Sequence, residues 1–176
     1  EEEKMLQAGA HRARGSIILV GPRLARAAAE DSSVIGVLRA SLQAVVTSTA
    51  PEMASARSPI GVNAIFPGSE TGEVSASRTA CTALQLSADC HAGIAGMICY
   101  PDERNVGIAV EGALAGKTAV VTGGGRNLGQ AIAMRLAREG SRVILAGRGR
   151  ADLNLTARAI MAVGGRAHSV VADIAF

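Results

Sequence analysis

The chain is 176 residues long, 48% of them apolar and only 2% aromatic, with a formal net charge of +3. That is enough chain and enough apolar side chain for a packed core, and it excludes a disordered polymer. Nearly all the positive charge is arginine dispersed among acids, and there are few rings to stack on bases, so the composition speaks against a nucleic-acid binder.

Two other classes fall away on simple grounds. No apolar run approaches the length needed to span a bilayer, and the acidic opening "EEEKML" is not that of a signal peptide. Cys81, Cys90 and Cys99 form no Cys-x-x-Cys, and His11, His91 and His168 are scattered, so neither a disulfide framework nor a metal site is expected. Small, partly buried thiols in a reducing cytoplasm are the expectation.

The first residues, "EEEKMLQAGAHRARG", read as the last turns of a helix stopping near Gly9. "GSIILVG", 15–21, is a short buried strand closed by Gly21-Pro22. "SSVIGVLRASLQAVVTSTAPEMASA" reads as a helix capped by Ser32 or Ser33. Val34, Val37, Leu38, Leu42, Val45 and Val46 share one of its faces, and Pro51 threatens a kink or an early end. "IGVNAIFPG", 60–68, is the next strand, "SRTACTALQLSADC" a helix and "AGIAGMICY" a strand ending before Pro101; "PDERNVGIAVEGALAG" is loop-like.

Beyond Lys117 the punctuation sharpens. "KTAVVTG" is a strand, "NLGQAIAMRLAREG" a helix closed by Gly140, and "SRVILAGR" a second strand. "ADLNLTARAIMAVGG" is a helix with Asp152 near its start, and "RAHSVVADI" is a third strand. Strands alternating with helices predict an α/β chain with a doubly wound parallel sheet, its two halves side by side.

The stretch "TAVVTGGGRNLGQAIA" runs from a strand through glycines into a helix N-terminus, which is a ready anion site. The Gly-x-Gly-x-x-Gly spacing fails, because Leu128 stands where its last glycine belongs. Thr-Gly-x-x-x-Gly-x-Gly fits, with Thr122, Gly123 and Gly129 in place, Gly125 and Arg126 inside the loop, Leu128 before the last glycine and Asn127 at the middle one. Asn is the residue after glycine that best tolerates left-handed backbone, so the loop can still close.

On these residues, 112–176 resembles the opening of a short-chain dehydrogenase/reductase. The resemblance implies a Rossmann-like fold, a nicotinamide dinucleotide as partner, and hydride transfer between nicotinamide and a carbonyl or alcohol carbon. Where an NAD site carries an acid after the second strand, this sequence has Arg148 and Arg150, with Arg126 in the loop. Guanidinium groups there suit a 2′-phosphate, so NADP is expected in preference to NAD. Asp173 and Ile174 resemble the pair that lines the adenine in this family.

Residues 1–111 resemble the second half of the same family. "RGSIILVG" resembles the strand bearing its catalytic serine, "VLRASLQAVV" its active-site helix, and "PIGVNAIFPGSETGE" the strand and turn beyond. The halves are therefore permuted, and the family's fourth strand is absent. Leu38 falls at the tyrosine, Leu42 at the lysine, and Gly21-Pro22 near the serine, so no catalytic residue is assigned. Tyr100 with Arg104 does not rebuild the pair, because Pro101 intervenes, and Thr71 sits one residue early for the nicotinamide turn. The expectation is a fragment of a tandem protein, inactive alone, with a circularly permuted single domain as the other arrangement the sequence leaves open. A non-catalytic nucleotide-binding module or a dimerisation module is the alternative, the 33–57 helix being able to pair between subunits or to pack within its own domain.

Overall fold

The computed structural model describes residues 15–22, 33–55, 60–68, 73–88, 96–101 and 112–173. The expected opening helix, Cys90, His91, Arg104, Thr71 and Ile174 lie outside them. The chain divides into two compact units, one of residues 1–70 and 85–101, the other of 71–84 and 102–176.

The first unit holds strand β1 (Gly15–Val20), helix α1 (Ser33–Ser55), strand β2 (Ile60–Ile65) and the short strand β3 (Ile98–Cys99). Helix α2 (Glu73–Ala88) is shared between the two divisions of the chain. The strands are parallel in the order β1-β2-β3, with Gly15 opposite Ile60 and Ile65 opposite Cys99. Central β2 is buried nearly throughout, as a doubly covered parallel strand must be. Its one polar member, Asn63, is also buried, and its Oδ1 accepts the Met97 N–H at 3.0 Å.

Val46, Ala50, Val62, Ala64 and Phe66 form the core of this unit, with Leu19, Leu42, Met53 and Ile98 packed around them. The buried seam of α1 is therefore Leu42–Val46–Ala50–Met53. Val34, Val37, Leu38 and Val45 stand exposed, so the apolar stripe expected from the sequence is only partly a core stripe. Helix α1 also runs through Pro51 to Ser55. Burial of Ala50 and packing of Met53 hold its last turn in place despite the hydrogen bond that Pro51 forgoes.

The second unit is the clean alternation strand β4 (Thr118–Thr122), helix α3 (Asn127–Arg138), strand β5 (Arg142–Gly147), helix α4 (Arg150–Ala162) and strand β6 (Arg166–Val171). Its parallel sheet runs β4-β5-β6, with Thr122 opposite Ala146 and Gly147 opposite Val171. Val121, Val143 and Leu145 share one sheet face and are buried, while Val120 points the other way and is exposed. On α4 the buried residues are Leu153, Thr156, Ala157 and Ile160, the spacing of one helical stripe.

The α/β class and parallel pairing agree with the sequence reading. The described strands form two three-stranded parallel sheets, where the sequence reading expected one. Each parallel pair is closed by its own intervening helix, which satisfies it locally.

Leu145 is fully buried on the central strand, so Leu145→Ala is expected to cost roughly 2–5 kcal/mol in urea unfolding followed by circular dichroism. Val120→Ala, on an exposed face, is expected to cost under about 0.5 kcal/mol.

Candidate functional site

The C-terminal ends of β4, β5 and β6 lie side by side, because their register aligns Thr122 with Ala146 and Gly147 with Val171. Open parallel sheets bind ligands beyond such ends. Here the chain places the glycine loop after β4, Arg148 after β5 and Asp173 after β6.

The loop is built by three backbone demands. Gly123 takes φ +67° and Asn127 φ +48°, both in the left-handed region, and Asn127 is the only non-glycine residue there among those described. The third demand is at Gly129, where a Cβ would land on the Gly123 carbonyl. The first turn of α3 is thus pressed directly against the strand end. Gly125 and Gly124 are tight for a different reason: a Cβ on Gly125 would meet Asp152 Cβ at 3.0 Å, and one on Gly124 would meet Leu145 Cδ2 at 2.7 Å.

Two hydrogen bonds fix the loop to what lies beneath it. Gly123 N–H donates to Ala146 O at 2.8 Å, and the fully buried Thr156 hydroxyl donates to Gly125 O at 3.2 Å. Thr156 sits on the apolar stripe of α4, so its hydroxyl must find a partner within the fold; the loop carbonyl is that partner.

Arg126 is the N-cap residue of α3, in extended conformation, and offers no side-chain bond to the helix start; no acid stands in that first turn. The helix start therefore has no side-chain cap from Arg126 and no acid within its own first turn, which suits an anion-accepting terminus. Arg126 turns its side chain to Asp152 in the first turn of α4. Nε donates to Oδ2 at 2.6 Å, and Nη2 lies 2.5 Å from the same oxygen. That hydrogen bond, reinforced by the carboxylate charge, holds the Arg126 pKa above its ordinary value.

Of the residues singled out in the sequence, Thr122, Gly123, Gly125, Arg126, Asn127, Leu128 and Gly129 come together in this loop. Arg148 and Asp173 are exposed at the neighbouring strand ends. Sequence reading did not find the roles of Asp152 and Thr156. A threonine within an apolar helical stripe was the available signal for one, and an acid in a helix's first turn for the other.

The other half offers a different surface. Leu42 packs on the core and Leu38 is exposed, so neither brings a polar atom. A Cβ on Gly21 would overlap the Phe66 ring, leaving no room for a side chain where β1 ends. Tyr100 stacks on Phe66 at 5.8 Å between centroids, and its hydroxyl accepts from Gln43 Nε2 at 2.8 Å. Cys81 and Cys99 are free thiols, and burial raises the Cys99 pKa. Among the described residues, no three His, Cys, Asp or Glu side chains are grouped to hold a metal. None of the described helices is long and apolar enough to cross a membrane.

Residues 117–175 match the family model for short chain dehydrogenases. An uncharacterized oxidoreductase of Mycobacterium tuberculosis is 51% identical over 59 residues, 34% of this chain and 22% of that protein. The short-chain reductase protein NovJ of Streptomyces niveus is 47% identical over 57 residues, 32% of this chain and 22% of that protein. Among solved structures, a citronellol catabolism dehydrogenase of Pseudomonas aeruginosa PAO1 is 39% identical with a TM-score of 0.38, covering 38% of this chain and 28% of that one. A 3-oxoacyl (acyl-carrier-protein) reductase of Agrobacterium tumefaciens C58, with NADP bound, is 41% identical with a TM-score of 0.34, covering 35% and 24%. The segment 117–175 is thus similar to part of the short-chain dehydrogenase/reductase family, and the chain spans 22% of the length of the two curated relatives.

Two changes probe the loop. Asn127→Val is expected to destabilise by about 1–2 kcal/mol, since a β-branched residue resists positive φ, while Asn127→Gly stays within about 0.5 kcal/mol of the parent. Thr156→Val is expected to cost about 1 kcal/mol and to speed hydrogen exchange at Gly125 and its neighbours, read by amide exchange NMR.

Proposed function

We propose that residues 112–176 are the coenzyme-binding front of an NADP-dependent oxidoreductase that moves hydride between nicotinamide and a carbonyl or alcohol carbon. The observation that carries this reading is the strand–loop–helix unit at Gly123–Gly129, with its uncapped helix start, in a segment matching an oxidoreductase family. In this reading the coenzyme pyrophosphate lies over the first amides of α3, where Gly123 and Gly129 keep side chains out of the way. Arg126 and Arg148 would hold the 2′-phosphate, Thr122, Gly125, Asn127 and Leu128 would shape the loop around the diphosphate, and Asp173 with Ile174 would line the adenine. The reactive nicotinamide would supply or accept the hydride.

Residues 1–111 belong in this proposal to a degenerate back half of the same family, in permuted order. Leu38 and Leu42 stand where a proton donor and its lysine are needed, so no acid–base pair stands at those two positions. Turnover would be a property of a longer parent, and coenzyme binding the property of this chain.

Titrating the 176-residue chain with NADPH, followed by coenzyme fluorescence, tests the reading: a saturable change is expected, and a flat titration refutes it. Arg148→Asp is expected to weaken NADPH on the order of tenfold, more than NADH, because a bidentate cation is replaced by a like charge. Equal losses for the two coenzymes would remove Arg148 from the phosphate site.

A further inference from the structure

We propose that Asp152 limits the affinity of the site for a 2′-phosphorylated coenzyme by occupying, through Oδ2, the Nε/Nη2 edge of Arg126. This rests on the coenzyme reading above and adds to it a residue that sets the balance between phosphorylated and unphosphorylated dinucleotides.

The geometry separates a fixed partner from a movable one. Asp152 belongs to the first turn of α4, and its Cβ lies against Gly125, where an added Cβ would come within 3.0 Å. Its Oδ2 lies over Gly149, the N-cap residue, at 2.8 Å from where a Cβ would stand. The Asp152 side chain is 31% exposed, whereas that of Arg126 is 73% exposed. The acid is therefore held by packing at a helix start that favours negative charge, and the arginine comes to it from the solvent side.

The edge that Asp152 takes matters. A guanidinium has five N–H donors, and adjacent Nε and Nη2 hydrogens form one of its forks for two oxygens of a carboxylate or phosphate. Both Nε and Nη2 are directed at one Asp152 oxygen. An arriving phosphate must displace that oxygen, or accept the remaining Nη1 edge with a carboxylate charge close behind. Either way the acid opposes the dianion, and a dinucleotide with a free 2′-hydroxyl meets no such opposition. Because the arginine is largely in solvent, the exchange is rapid and the acid acts as a weight on affinity, not as a block.

Asp152→Asn keeps the size and an acceptor for Nε while removing the charge. In fluorescence titrations of the full chain, the NADPH dissociation constant is expected to fall on the order of fivefold, as the Arg126 edge is released from a charged competitor to the phosphate. The NADH constant is expected to change less than about twofold. Asp152→Ser, which removes the same charge with a shorter side chain that still suits a helix start, is expected to shift NADPH the same way; circular dichroism melting of both variants reports folding. In an Arg126→Met background the gain from Asp152→Asn is expected to shrink below about twofold, and a gain that persists there would show the acid acting without the arginine and overturn the inference. Unchanged or weaker NADPH binding by folded Asp152→Asn, with the parent still preferring NADPH, overturns the inference and leaves the coenzyme reading standing. No saturable binding by parent or variants refutes the coenzyme reading, and this inference with it.

Discussion

The second unit depends on one close approach, the Gly129 Cα against the Gly123 carbonyl. It allows the first turn of α3 to begin almost on top of the end of β4. Any side chain at 129 would push the helix off the strand end, and the loop would have to lengthen to follow it. The left-handed turns at Gly123 and Asn127 are the consequence of reversing the chain in so little space. Glycine meets that demand freely at 123, while asparagine meets it at 127 with some strain, tolerable because that residue is exposed and carries no packing load.

The two units show that packing and polar chemistry are separable. Around Gly21, Leu42 and Phe66 the space is filled by apolar atoms, and the resulting core is continuous. Such a core stabilises a parallel sheet, and Leu38 and Leu42 bring it no group whose proton or charge can be exchanged. In the glycine loop the opposite holds. Arg126 is largely in solvent, and the polar atoms that are buried there, such as the Thr156 hydroxyl, serve the loop's own shape.

Much of this was legible in the sequence because burial imposes periodicity. Leu153, Thr156, Ala157 and Ile160 repeat at helical spacing, and β2 reads as an unbroken apolar run apart from Asn63. The asparagine at 127 was legible too, since a tight loop with three glycine positions and two glycines leaves few alternatives at the third. What was not legible depended on contacts distant in sequence. The stripe Val34–Val37–Leu38–Val45 looks like core until the partner surface is known, and it meets none in its own unit's core. Pro51 should break a helix taken alone, and does not, because Ala50 and Met53 are anchored by other elements. Asp152 and Thr156 are separated from the residues they serve by 26 and 31 positions, a reach no local pattern reports.

The charged residues are therefore placed by a scaffold to which they contribute little. Strand register brings Thr122, Gly147 and Val171 to one edge, and that register is set by Val121, Val143 and Leu145 on the buried face, since a slip of one residue would turn them outward. Arg148 and Arg150 then stand where the edge meets solvent, free of any packing duty, and Arg126 does so at the loop above them. Substituting such residues changes the field an anion meets while leaving the sheet intact. Gly129 and Thr156 differ in kind, because they set the shape of the backbone that would receive the anion, and altering them moves fold and binding together. Affinity that varies at constant stability is the signature of the first group, and coupled loss of both is the signature of the second.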